Sequence, residues 1–292
     1  MIKLEEQIYL SYIYRVFLHH YPPYCSISRT KSIELIDTTP APPAEATGPK
    51  LQLYPIEHPE YATQALERLE RGKELKEKFP NRFHVMPETP FVLRVHTVIR
   101  DRDTPRGEFL FHSEQLFRAL MEYSLEQAAY EPKTIYTPTD NAFHGLQLSK
   151  EVVGVSIMRS GECLEHALQD SIRGVKIGKI LVQRDESTSE KSAKLFYSKL
   201  PDNINKCFVL LLDPMLASGS SARLCIRVLL DQGVKQEDIV FVNLIAAPHG
   251  VQTLLEEFPQ LTIVTTMLDR ELNDHKYILP GVGDYGDLYF GT

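Results

Sequence analysis

The sequence predicts an α/β fold, a parallel sheet flanked by helices, and three observations carry that prediction. Beyond Glu151, apolar runs of strand length alternate with runs of helical spacing. The run Phe208–Leu212 is continuously apolar and too short for a helix, the pattern of a strand buried on both faces. It ends on Asp213, passes through the small-residue loop Ala217-Ser218-Gly219-Ser220-Ser221, and continues as an amphipathic run, Ala222–Gln232, that stops at Gly233.

Taken in order, residues 1 to about 55 read as peripheral, a Tyr-rich start followed by the Pro/Ala-rich linker Thr38–Pro49. A charged run from about Glu60 to Lys78 carries Ala65, Leu66, Leu69 and Leu75 at helical spacing and reads as a surface helix. Residues 1–80 are thus an N-terminal extension, and a compact domain spans 81–292. Val92–Ile99 fits either a strand or the start of a helix. The charged stretch Arg100–Arg106 reads as a solvated turn or as a functional cluster. Phe109–Ala129 reads as a helix facing the core through Phe117, Leu120, Met121, Leu125 and Ala128. The alternation then runs Val152–Met158, Leu164–Ile172, Ile177–Val182, Phe208–Leu212, Ala222–Gln232, Ile239–Ile245, Val251–Glu257 and Leu261–Met267. Crossovers between parallel strands are right-handed and ligands sit at carboxyl ends, so the loops after Met158, Val182, Leu212 and Ala246 should line one crevice.

Composition narrows the function. With 43% hydrophobic and 24% charged residues in 292, the chain buries a full core, and its net charge of −7 argues against nucleic acid. Cys25, Cys163, Cys207 and Cys225 lack metal spacing and read as buried free thiols in a reducing compartment. There is no run of 18 apolar residues, and the apolar start carries Glu5, Glu6 and Arg15 without a cleavage site. Neither a membrane span nor a leader is expected; the expected location is the cytoplasm, or the nucleus. Gly178-Lys179 does not close a P-loop, because Arg173 occupies the first glycine position and Ile180 follows the lysine.

Four loops carry candidate chemistry. Strand, acid, small loop and helix at Asp213–Ser221 form a phosphate cradle, although an ordinary βα turn has the same composition. In Met158-Arg159-Ser160-Gly161-Glu162 an arginine follows an apolar strand beside a glycine, which suits a bidentate phosphate contact and equally a surface strand end. Gln183-Arg184-Asp185-Glu186-Ser187-Thr188 opens a polar, flexible stretch. Tyr277–Asp287 holds three glycines in six residues, so its main chain is open to read a flat base through N–H and C=O groups; a plain loop is the blander alternative.

Asp213-Pro214-Met215-Leu216-Ala217-Ser218-Gly219-Ser220-Ser221 resembles the phosphoribosyl-diphosphate (PRPP) motif of phosphoribosyltransferases, in the Asp-Pro form of uracil phosphoribosyltransferases. The Arg159 loop resembles that family's diphosphate loop, and Arg184 with the residues after it resembles its lid. Lys194, Tyr197, Lys199 and Pro201 continue the pattern, and Tyr277–Asp287 resembles its uracil segment. The resemblance covers about Asn81 to Thr292 and implies a type I phosphoribosyltransferase-like fold with a C-terminal base-binding segment. It implies transfer from PRPP to uracil, giving UMP and diphosphate in pyrimidine salvage, by a homo-oligomer, dimer or tetramer. Arg159, Arg184 and Asp213 would be catalytic and, with Pro214, Met215, Leu216, Ala217, Ser218, Gly219, Ser220, Ser221 and Asp284, would hold PRPP. Tyr277, Ile278, Gly283, Asp284 and Tyr285 would hold uracil. Mg²⁺ would arrive with PRPP rather than on a protein site, and GTP would act allosterically through Arg106 and Lys176. The pattern departs at Ser218 (usually Thr), Ser220 (usually Gly), Leu288 (usually Arg or Lys) and Gln115 (usually Arg). The alternative is a catalytically degenerate homologue that binds PRPP or nucleotide as a regulator; an RNA-binding protein of the same fold is disfavoured by the acidic balance.

Overall fold

The computed structural model describes residues 59–184 and 193–292. The expectations for 1–58, for Cys25 and for the lid residues 185–192 lie outside them. Helix α1 (Pro59–Lys78) precedes a short strand β1 (Phe83–Val85). Leu75 of α1 is buried in the core, and Arg68 forks onto Glu88 with both bonds at 3.0 Å. Helix α2 (Pro90–Arg100) resolves the strand-or-helix alternative. Pro90 opens it, and Thr89 caps it by accepting from the Val92 N–H at 3.3 Å. Helix α3 (Arg106–Leu125) ends before the expected Ala129, where the Tyr130 hydroxyl donates to the Leu125 carbonyl at 3.0 Å. The chain then forms an antiparallel hairpin that the sequence reading did not anticipate, β2 (Tyr130–Tyr136) and β3 (Ala142–Leu148).

The expected alternation follows. Strand β4 (Val152–Met158) leads through a 3₁₀ turn to α4 (Glu165–Ser171), β5 (Lys176–Arg184) and β6 (Ala193–Lys199). Strand β7 (Phe208–Leu212) leads through the short β8 (Met215–Leu216) to α5 (Ser220–Asp231), then β9 (Ile239–Ala246), α6 (Pro248–Glu257) and β10 (Thr262–Leu268). A two-stranded ribbon, β11 (Glu271–Leu272) and β12 (Ile278–Leu279), and helix α7 (Tyr285–Phe290) close the chain.

The main sheet has the order β1-β10-β9-β7-β4-β5-β6, with β8 beside β9. Every pairing is parallel except β5–β6, so the sheet carries one antiparallel edge rather than being wholly parallel. Alternate residues of the central strands feed two core layers. Val153, Val155, Leu211 and Phe241 pack with Cys225 and Ile226 of α5 and Leu254 of α6. Val152, Leu210, Val242 and Val264 pack with Val95 of α2, Phe117 of α3 and Leu168 of α4. Each such side chain contributes about 1.5–3 kcal/mol of apolar burial. That two-sided burial is why these strands read as unbroken apolar runs.

The chain leaves β4 for β5 on one side, then returns past β4 to β7 and continues outward to β9 and β10. The strand order therefore reverses between β4 and β7, the place where open α/β sheets leave a crevice. Cys163, Cys207 and Cys225 are free and buried, and burial pushes their thiols up. Among the described residues no helix is long and apolar enough to cross a membrane.

Candidate active site

Strand β7 delivers Asp213 to the reversal point, where its N–H donates to the Val242 carbonyl of β9 at 3.2 Å. The following residues are anchored the same way. The N–H groups of Leu244 and Ile245 donate to the Pro214 carbonyl at 2.8 and 3.0 Å, and Met215 and Leu216 lie beside Ile245 and Ala246. Main-chain bonds thus fix the stretch that leads into α5. Gly219 precedes that helix with φ of 79°, a left-handed conformation that disfavours any Cβ, and Ser220 is the first helical residue. The serine that replaces the usual glycine therefore occupies a helical position and leaves the turn intact. No side chain caps α5, so its first-turn N–H groups remain available to an anion. The Ser218 and Ser220 hydroxyls are 2.7 Å apart, one hydrogen bond.

Strand β4 delivers Arg159 across a cis Met158–Arg159 peptide. Gly161 lies so close to β7 that a Cβ would strike the Leu212 carbonyl. This approach brings the Ser160 hydroxyl to Asp213, donating to Oδ1 at 3.1 Å. Removal from water pushes the half-buried Asp213 carboxyl up to about 7, against the opposing pull of the Ser160 hydroxyl and the Met215 N–H.

The Arg159 guanidinium is half exposed and is held by the C-terminal segment. Its Nη2 donates to Asp287, and its Nη1 donates to the Thr292 hydroxyl at 2.9 Å. The Thr292 hydroxyl donates in turn to Asp287 at 3.0 Å, and the Phe290 ring lies 5.8 Å from the guanidinium carbon. Arg159, with a smaller contribution from Thr292, holds the Asp287 carboxyl below its usual range. Arg184 closes β5 with its backbone opposite Ala193, and its side chain lies outside the described residues.

The segment 277–285 starts on the β11–β12 ribbon. Asn273 fixes its entry, its Oδ1 accepting from the Tyr277 N–H at 2.9 Å while its own N–H donates to the Tyr277 carbonyl at 2.9 Å. Ile278 is buried, Tyr277 is half exposed, and Gly283 and Asp284 are exposed. The Tyr285 side chain turns inward, its ring 5.2 Å from Phe109 and 6.1 Å from Phe117, so only its backbone faces the loop side. Leu288 is exposed.

Asp213, Ser160, Arg159 and the C-terminal helix thus converge on one end of the sheet. Arg106 and Lys176 do not join each other. Arg106 donates to the Tyr289 carbonyl at 2.8 Å, on the carboxyl side, whereas Lys176 pairs with Glu151 at 2.7 Å beside the start of β4. The seven residues of β4 between those ends span about 20 Å. Gln115 bonds to the buried His112 at 3.2 Å. A cavity of about 140 Å³ between α3 and α4, lined by Phe117, Arg118, Cys163 and His166 among others, contains none of the expected contact residues.

Sequence reasoning did not single out Ser160 as the partner of Asp213, nor Asp287 and Thr292 as partners of Arg159. The one available signal was a carboxylate and a hydroxyl within a glycine-rich segment already suspected of chemistry. For Mg²⁺, the donors fit an ion carried in by substrate. Asp213 and Asp284 offer the hard carboxylate oxygens that such an ion takes.

The chain matches the family model described as uracil phosphoribosyltransferase over residues 85–292. A uracil phosphoribosyltransferase of Lachancea kluyveri is 45% identical over 214 residues, covering 73% of this chain and 98% of the relative. One of Saccharomyces cerevisiae is 44% identical over 214 residues with the same coverage of both chains. Among solved structures, a protein of Aquifex aeolicus aligns with a TM-score of 0.63 at 27% identity, covering 72% of this chain and 98% of that one.

Proposed function

The chain belongs to the uracil phosphoribosyltransferase family, and on that premise we propose that it transfers the phosphoribosyl group of PRPP to uracil, giving UMP and diphosphate in pyrimidine salvage. The observation that carries the reading is the Ser160–Asp213 hydrogen bond, which ties the arginine-bearing loop to the acid at the reversal point.

Departure of diphosphate leaves oxocarbenium-like charge on the ribose carbon, so the protein needs no nucleophile; it must position the reactants and stabilise the leaving anion. Ionised Asp213 accepts hydrogen bonds from the ribose hydroxyls. The main chain and hydroxyls of the Ser218–Ser221 loop take the 5′-phosphate, and Pro214 to Ala217 line the PRPP site beside it. Arg159 exchanges Asp287 for diphosphate, and Arg184 adds a second guanidinium from the end of β5. Main-chain groups of Tyr277, Ile278, Gly283, Asp284 and Tyr285 read the base edge, with Asp284 also turned to PRPP. Mg²⁺ bound with PRPP supplies further neutralisation of the diphosphate charge. Ser220 in a helical position and an exposed Leu288 give no support to a binding-only homologue.

The domain assigned to this activity is 81–292, and the proposed location is the cytoplasm. A homo-oligomer is proposed on the hairpin β2–β3, which exposes Ile135, Tyr136, Phe143 and Leu146. GTP regulation through Arg106 and Lys176 is proposed across the subunit contact, because the two residues lie toward opposite ends of β4. The test of the main reading is UMP formation from uracil and PRPP, with hypoxanthine as the competing base. Turnover is expected with uracil and absent with hypoxanthine; comparable turnover with both overturns the assignment.

A further inference from the structure

Arg100, the first residue of the charged stretch that the sequence left open as a solvated turn, is mostly buried at the end of α2. Its side chain is 16% exposed, and that of its partner Asp269 is 1% exposed. The pair is bidentate, Nη1 to Oδ2 at 2.8 Å and Nη2 to Oδ1 at 2.9 Å. Three further N–H groups of the guanidinium are also engaged. Nη1 donates to the Gly281 carbonyl at 3.1 Å, Nη2 meets the Met267 sulfur at 3.3 Å, and Nε donates to His96 Nδ1 at 3.3 Å. All five donors of the arginine are therefore spent, a pattern that the three donors of a lysine do not reproduce.

The network has a fixed direction. The Thr266 hydroxyl donates its proton to the Leu244 carbonyl at 2.5 Å, so it accepts from His96 Nε2 at 2.8 Å. His96 thus carries its proton on Nε2 and presents a lone pair at Nδ1 to Arg100. At the other end, Asp269 Oδ2 accepts the Gly281 N–H at 2.9 Å. Asp269 is itself anchored, its N–H donating to the Ala246 carbonyl at the end of β9 at 2.8 Å. Both main-chain polar groups of Gly281 are captured by one ion pair, which is rooted in α2, β9 and β10. A buried ion pair gains little net stability over an apolar replacement, so its use is better sought in the geometry it enforces.

We propose that Arg100 and Asp269 are positioning residues: they clamp Gly281, and through it they set the main-chain groups of 277–285 for the base. The inference rests on the reading of that segment as the base site. The clamp acts mainly on the base: neither residue bonds to Asp213, Arg159 or the α5 loop, and the one residue of 277–285 also assigned to PRPP, Asp284, lies three positions beyond Gly281. Loosening it should therefore affect the base and spare PRPP.

The experiment is Arg100→Lys in the full chain, with steady-state kinetics for both substrates and amide hydrogen exchange of 277–283. The expected result is a Michaelis constant for uracil raised about tenfold or more, with that for PRPP within about twofold and turnover little changed. Exchange at Gly281 should accelerate about tenfold while β9 and β10 keep their protection. Parallel increases in both Michaelis constants, or no increase for uracil, overturn the clamp as a positioning device. If the variant does not fold, the wild-type exchange decides. A Gly281 amide held by a buried carboxylate exchanges about a hundredfold more slowly than an open loop amide, and exchange at the open-loop rate overturns the proposal. If wild type forms no UMP, the activity reading fails, and the exchange comparison still judges the clamp by itself.

Discussion

Asp213 is where charge, burial and chemistry meet. Its carboxyl titrates near 7 because the crevice removes it from water, whereas ribose hydroxyls need the ionised form. PRPP binding should therefore release close to one proton at about pH 6 and almost none at about pH 8. Calorimetry in two buffers of different ionisation enthalpy measures this directly; equal release at both pH values would remove Asp213 from the ribose site. The same shift has a stability consequence. The folded value lies above the unfolded one, so the contribution is fully present below about pH 4 and is lost as pH rises through 7. Asp213→Asn should accordingly stabilise the free protein at pH 8, by about a few kcal/mol at most and read as a higher melting temperature, and leave it unchanged near pH 3. Asp213→Ala should raise the Michaelis constant for PRPP and lower turnover, a loss of about 1.5–3 kcal/mol for a charged acceptor. Arg159 makes a different case. Its pair with Asp287 is exposed and screened by water, so diphosphate displaces the carboxylate at little cost. Asp287→Asn should strengthen product inhibition by diphosphate less than about fivefold, and weaker inhibition would show that Asp287 orients Arg159 rather than competing for it.

At the scale of elements, legibility followed burial. Strands β4 and β7 were read with their observed bounds, because both faces are buried and Ser156 is the one polar residue in the two runs. The loop Asp213–Ser221 was legible for a related reason: acid, small residues and glycine are demanded by the turn itself. The hairpin β2–β3 was not legible. Its residues are mostly exposed on both faces, so Tyr136, Phe143 and Leu146 show no inside–outside alternation against polar neighbours. Strand β1 is three residues long and the β11–β12 pairing two, below any window in which periodicity can be counted. Arg100 stayed open between two readings because its neighbours Asp101, Arg102 and Asp103 are exposed, and tertiary contact with Asp269 is what separates it from them. In the site, Ser160 sat inside a recognised motif, but its bond to Asp213 joins two strands and leaves no mark in local sequence.

At the scale of the molecule, the hairpin is the least self-sufficient part. A two-stranded ribbon is marginal in water on its own, and this one exposes apolar side chains on both faces, Ile135 beside Phe143 on one and Tyr136 with Leu146 on the other. The combined variant Tyr136→Ser, Phe143→Ser, Leu146→Ser should lower the sedimenting mass to that of a single chain while retaining the sheet. An unchanged mass would place the subunit contact elsewhere. A second long-range feature bears on how the protein is made. Among the described residues Phe83 of β1 pairs with Ile263 of β10, and Lys78 at the end of α1 pairs with Glu256 at the end of α6. A ribosome that has released α1 and β1 has still to synthesise both partners. The edge strand stays open until almost the whole domain has emerged, and contacts of such separation form slowly. The closing step of this fold therefore comes late, and the chain that precedes it is the form most exposed to chaperones and to aggregation.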